Sequence, residues 1–156
     1  MWYSNTKYLF MEGAIMSNPL HVSEAVSLAF HAMVLLASSD GKTVSNRVIA
    51  EQFDASVAHL AKVMRRLTQA GMVDSYPGPS GGFVLAEAAE CLTLKAIYEA
   101  IEGPLEPVKC LFGKPVCDGK CCVFGDELQE VDARLRNWLA STSLADVAET
   151  YLGETA

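Results

Sequence analysis

The sequence predicts a mainly α-helical protein that carries one small β-hairpin and continues into a long C-terminal helix. Three observations lead there. Helical spacing of apolar residues recurs along most of the chain; it is broken once by "MVDSYPGPSGGFVLA", rich in Gly and Pro; and a cysteine-rich segment, "CLFGKPVCDGKCC" (residues 110–122), precedes the last helical stretch. The 156 residues are enough for one domain with a real core and short for two. With 51% hydrophobic and 20% charged residues the chain is of the folded globular class. No apolar run approaches the ~20 residues that span a bilayer, and no basic segment leads into a short apolar core with a cleavage site, so a cytoplasmic protein without membrane contact is expected.

From Val22 to Ala37 the chain is almost continuously apolar, with Val26, Ala29, Phe30, Met33, Val34 and Ala37 at helical spacing, which predicts a buried first helix. His31 lies in its middle, where it is either a hydrogen-bonded core histidine or a ligand. Ser45 can cap a second helix through Phe53. Ser56 can cap a third that runs to Ala70 and stops at Gly71. Two short helices joined by a tight turn make a helix-turn-helix, and the Gly/Pro-rich hairpin that follows supplies a wing. Residues 93–102 return to helical spacing with Leu94, Ile97, Tyr98 and Ile101, and end at "GP". Beyond the cysteines, Phe124, Leu128, Val131, Leu135 and Trp138 recur at steps of four and three, an amphipathic helix with a narrow apolar seam suited to dimerisation. The expected organisation is an N-terminal arm (1–21), loose or an upstream-start artefact, a winged helix-turn-helix domain (22–103), a cysteine-rich sensor loop (104–123), and a dimerisation helix with a C-terminal tail (124–156).

The net charge of −7 is unpromising for a nucleic-acid binder, but its distribution is uneven. Residues 91–156 hold 6 Lys/Arg against 11 Asp/Glu, whereas residues 16–90 hold 5 against 7. Three of those five, Lys62, Arg65 and Arg66, cluster on the third helix beside His59. Val57, Leu60, Val63, Met64 and Leu67 make that helix's apolar face, so the basic side chains lie off it. Such a helix can present Ser56 and His59 to base edges in a major groove and Lys62, Arg65 and Arg66 to phosphates, while Ser80 and Gly81 of the wing reach the neighbouring groove. The competing reading is a solvated face on an ordinary helical bundle.

Five cysteines is an odd count, and clustered thiols in a reducing compartment more often bind metal or do redox chemistry than form a disulfide framework. Cys110, Cys117 and Cys122 are separated by six and four residues, with Cys121 beside the last. Zinc sites prefer two tight pairs, and Cys110 stands alone. An iron-sulfur cluster needs several thiolates converging from a loop that can wrap it, which Gly and Pro permit here. A thiol switch using the adjacent Cys121 and Cys122 also fits. Spacing alone leaves cluster, switch, zinc and inert thiols open. Cys91 lies outside the loop in an apolar context and is expected to be dispensable. Nothing points to an enzyme: no CxxC dithiol or substrate pocket is legible.

The order of parts, "VSNRVIAEQFDASVAHLAKVMRRLTQAGMVDS", a "GPSGGF" wing, "LKAIYEAIEGPL", a three-cysteine loop and a terminal "SLADV", resembles the IscR/NsrR group of winged-helix bacterial regulators, the Rrf2 family, from about Val22 to Val147. That resemblance implies a homodimer on double-stranded promoter DNA. It also implies an iron-sulfur cluster, 2Fe-2S in preference to 4Fe-4S, on Cys110, Cys117 and Cys122. Cys121 remains the competing metal ligand. Gly125 stands where some relatives have a histidine ligand, and Pro77 where many have a wing arginine. The fourth cluster ligand must then come from elsewhere, with His31 the first choice and Glu24 a weaker one. The expected function is a transcription regulator whose promoter affinity follows the redox, nitric oxide or iron status of that cluster; the alternatives are a cluster-free thiol sensor and a zinc-stapled, non-catalytic adaptor.

Overall fold

The computed structural model describes residues 22–108, 110 and 123–153, the last three by backbone alone. The expected arm (1–21) and the thiols Cys117, Cys121 and Cys122 lie outside the described residues. Six helices and a two-stranded antiparallel hairpin follow in the order α1 (Glu24–Ala37), α2 (Asn46–Gln52), α3 (Val57–Gln69), β1 (Val73–Tyr76), β2 (Gly82–Leu85), α4 (Leu94–Glu102), α5 (Glu127–Ser141) and α6 (Leu144–Gly153), with a 3-10 turn at Ala89–Cys91. None of the described helices is long and apolar enough to cross a membrane.

Each early helix starts where a hydroxyl can satisfy an orphan backbone N–H. Ser23, Ser45, Ser56 and Thr93 accept from the amides of Val26, Val48, His59 and Ala96 at 3.1, 3.2, 3.4 and 3.1 Å. Gly71 ends the turn after α3 with φ +75°, a left-handed conformation that costs glycine nothing. Val26, Ala29 and Met33 of α1, Ile49 of α2, Leu60, Met64 and Leu67 of α3 and Ile97 of α4 are fully buried in one core. α1 is its centre and packs against α3, α4, α6 and β2. The helix-turn-helix is thus a fixed block, with α3 held by its apolar side.

The wing is larger than its two strands. Val44, just before the Ser45 cap, forms an antiparallel bridge with Phe83 through a pair of 2.9 Å hydrogen bonds, so the segment ahead of α2 is a third, one-residue strand. Gly82 makes this possible: a Cβ there would lie 2.5 Å from the Val44 carbonyl oxygen. Gly81 is equally confined, because a Cβ would collide with the carbonyl oxygen of Tyr76.

Three expectations are corrected. The segment after Trp138 is not a tail. Thr142 and Ser143 break the helix, and Ser143 and Asp146 then form a reciprocal capping box in which the Ser143 amide and hydroxyl donate to Asp146 Oδ2 at 2.9 and 2.7 Å and the Asp146 amide donates to Ser143 Oγ at 3.2 Å. α6 therefore turns back and buries Leu144 and Ala148 in the core, and the Leu144 amide reaches the Leu92 carbonyl at 2.7 Å. The amphipathic helix starts at Glu127, so Phe124 precedes it. His31 is not a core histidine: it is exposed on the side of α1 that faces the helix-turn-helix rather than the core.

Candidate nucleic-acid interface

α3 is amphipathic in the sense that matters for a groove. Leu60, Val63, Met64 and Leu67 are buried, and Ala58, Ala61, Lys62, Arg65 and Gln69 are exposed on the opposite side. Lys62 and Arg65 have no side-chain partner among the described residues, so their charges are open to an anion. Two neighbours are engaged otherwise. His59 Nδ1 lies 3.5 Å from Glu24 Oε1, which ties the first turn of α3 to that of α1. Arg66 donates from Nη1 to the carbonyl oxygen of Ile101 at 2.6 Å. A cation on the last turn of α4 satisfies an orphan carbonyl and opposes the negative end of that helix's dipole. The sequence alone assigns Arg66 to phosphates; the structure commits its guanidinium to joining α3 to α4.

The wing carries no Lys or Arg from Val73 to Leu85. Ser80 at its tip is exposed, Gly81 is half-buried, and the Ser80 carbonyl accepts from Thr43 Oγ1 at 3.4 Å. Through this bond and the Val44–Phe83 bridge, the exposed Lys42 is brought onto the flank of the wing. Sequence reading missed Lys42, because a one-residue bridge has no periodicity to detect.

The expected cluster ligands fall on two elements. Cys110 is partly exposed at the far end of the stretch that leaves α4. That stretch is anchored on both sides: the Leu105 amide donates to Glu99 Oε1 at 3.0 Å, and the Val108 amide to Asp132 Oδ2 of α5 at 3.3 Å. Asp132 also pairs with Arg136 at 2.9 Å. His31 lies on α1, in an open cleft of about 260 Å³ lined by Glu24, Ser27, Phe53 and Asp54 among others. Its ring packs edge-on against Phe53 with centroids 5.4 Å apart, and Nδ1 lies 2.7 Å from the Ser27 carbonyl oxygen. A carbonyl can only accept, so Nδ1 donates in this bond and Nε2 is the ring nitrogen left for a ligand role. Among the described residues no three His, Cys, Asp or Glu side chains are grouped as a metal site. Cys91, expected in an apolar setting, is exposed on the 3-10 turn.

Along α5 and the turn before it, Phe124, Val131 and Trp138 are 49, 52 and 52% exposed at seven-residue spacing, with Leu128 and Leu135 half-buried between them. Leu135 packs against the core, while Phe124, Val131 and Trp138 leave an exposed apolar stripe.

The comparisons with known proteins agree with this architecture. The sequence profile of the Rrf2 family, described as an iron-dependent transcriptional regulator, matches residues 22–150. The chain is 29% identical over 115 residues to the HTH-type transcriptional regulator IscR of Yersinia pseudotuberculosis, covering 73% of this chain and 69% of that one. In structure it is similar to CymR, the global cysteine regulator of B. subtilis, with a TM-score of 0.67, 26% identity and coverage of 83% of this chain and 96% of that one. It is also similar to T. potens IscR, with a TM-score of 0.64, 26% identity and coverage of 85 and 89%. The chain therefore belongs to the Rrf2 family: it is a winged-helix, DNA-binding transcription regulator and not an enzyme.

Proposed function

We propose that this regulator works in the cytoplasm as a homodimer on promoter DNA and that its affinity is set by an iron-sulfur cluster held by Cys110, Cys117 and Cys122, with His31 as fourth ligand. The observation that carries this reading is the sequence itself: four thiols within thirteen residues, between α4 and α5. The family's iron dependence supports it. So does the orientation of His31, whose Nδ1 bond to Ser27 leaves Nε2 as the nitrogen available to a ligand. A mixed thiolate and imidazole donor set is one that a 2Fe-2S centre takes, and it raises the potential relative to all-thiolate ligation. When bound, the cluster supplies a bridge among these donors that oxidation, nitric oxide or iron loss can break. The chain's own residues carry the consequence. The stretch from Gly103 to Val108 is tied to α5 by Asp132 and lies directly after the α4 terminus that Arg66 holds, so a shift of the loop moves a helix end bonded to α3. Dimerisation through the seam of Phe124, Val131 and Trp138 sets the separation of the two α3 helices, and therefore the half-site spacing.

A second reading is favoured by one specific finding: CymR, of closely similar fold, is named a global cysteine regulator. In that reading Cys121 and Cys122 act as a cluster-free thiol switch. The zinc-stapled adaptor is set aside, since the chain belongs to a family of DNA-binding regulators. Anaerobic purification separates the two that remain. Cluster control predicts a brown protein with iron and acid-labile sulfide in equal amounts, colour lost in Cys110→Ala, Cys117→Ala and Cys122→Ala but kept in Cys91→Ala, and an altered spectrum in His31→Ala. A colourless wild type whose DNA affinity still changes with thiol oxidation would replace the cluster with the switch.

A further inference from the structure

The first two turns of α3 offer few polar groups to anything they touch. The Ser56 hydroxyl is the helix cap, accepting from the His59 amide at 3.4 Å, and the His59 ring is turned toward Glu24. Leu60 is fully buried. What faces outward is Val57, 52% exposed, with Ala58 and Ala61, before the first free cation at Lys62. Val57 is held in place, because its carbonyl accepts from Asn46 Nδ2 at 3.0 Å and the first residue of α2 thereby fixes the start of α3. A single exposed valine is ordinary in itself. Its location gives it a role: a helix-turn-helix brings the N-terminal residues of its second helix to base edges in the major groove. The open charges of Lys62 and Arg65 follow further along α3, where phosphates would lie.

In the major groove, the base-edge feature that an apolar side chain recognises is the 5-methyl group of thymine. We propose that Val57, Ala58 and Ala61 form an apolar reading patch for thymine methyl groups, so that the part of each half-site under the start of α3 is selected by methyl contact instead of hydrogen bonding. The proposal rests on the reading of α3 as the helix that faces DNA. It requires that uracil be rejected at these positions and that 5-methylcytosine be tolerated better than cytosine, since the methyl occupies the same place in the groove.

The test uses duplexes that the full-length wild-type protein selects from a random library. Each thymine of the selected site is replaced by deoxyuridine, which removes one methyl and nothing else. Burial of one methyl-sized group predicts about a fourfold loss of affinity at one or more positions in each half-site. In Val57→Ser, a change at a half-exposed first helical position, that loss should vanish at one position while the salt dependence stays as in wild type, because Lys62 and Arg65 are intact. Neutral uracil substitution at every position overturns the proposal. So does a loss of equal size in wild type, Val57→Ser, Ala58→Ser and Ala61→Ser. Selection of no duplex at all would remove the reading of α3 as well, which keeps the two failures distinct.

Discussion

Replacing Arg65 and Arg66 one at a time tests the division of labour that the structure assigns to adjacent cations. Arg66 donates to the Ile101 carbonyl at the end of α4 at 2.6 Å, whereas Arg65 has no partner among the described residues. A hydrogen bond from a charged donor is worth about 1.5–3 kcal/mol, and a cation at a helix C-terminus adds about 0.3–1 kcal/mol. Arg66 is exposed although this bond is partly buried, and screening reduces both contributions, so about 1–2 kcal/mol is the expected loss for Arg66→Ala. In a chain of this size that lowers Tm by about 2–8 °C. Arg65→Ala should leave Tm within about 1 °C of wild type, since exposed substitutions change stability by about 0.5 kcal/mol or less. The opposite order is expected for DNA. Removing one cation from a phosphate flattens log K against log salt by about 0.9 per protomer, and Arg65→Ala should show that change. Thermal unfolding followed by circular dichroism, with anisotropy titrations over a range of salt concentrations, reads both quantities. An Arg66→Ala protein with unchanged Tm and the same flattened salt slope as Arg65→Ala would refute the reasoning.

Gly82→Ala should detach the wing from Val44, because its Cβ would sit 2.5 Å from a backbone carbonyl that cannot move without breaking the bridge; amide exchange at Val44 and Phe83 should rise while α1 stays protected. Asp146 is held below the usual carboxylate range by the side-chain and backbone donors of Ser143. A depressed folded pKa contributes stability that is present above the ordinary Asp value and lost as pH falls through the folded one, so exchange of α6 amides should rise below about pH 4, and Asp146→Asn should flatten that dependence. Val131→Glu places a charge in the middle of the exposed seam of α5; sedimentation should show a monomer with unchanged helical content, and a dimer as tight as wild type would move the interface elsewhere.

The helix-turn-helix and its hairpin were legible because each is announced locally. Ser45 and Ser56 stand where caps are needed, apolar residues recur at helical steps, and Gly71 and the Gly/Pro run mark the stops. What the sequence hid was set by partners far along the chain. Nothing in "GKTV" distinguishes Val44 from a loop residue until Phe83 and Gly82 lie beside it. Arg66 resembles Arg65 until α4 brings the Ile101 carbonyl to it. α6 was hidden because its apolar pattern is short and separated from α5 by only Thr142 and Ser143, although the "SLAD" capping box was there to be read. His31 resembles a core residue because α1 is apolar almost all round; the side that faces Phe53 and Asp54 is open, and no periodicity in α1 distinguishes it.

The measurement that bears most directly on the account is the affinity of the anaerobically purified protein for one selected promoter duplex, before and after removal of iron with a chelator under reducing conditions. Coupling between two sites in a protein of this kind is typically about 5–150-fold. Cluster control predicts a difference in that range, abolished in Cys110→Ala while the salt slope stays near that of wild type. Equal affinities before and after iron removal, in a preparation shown to have held iron and sulfide, would contradict it.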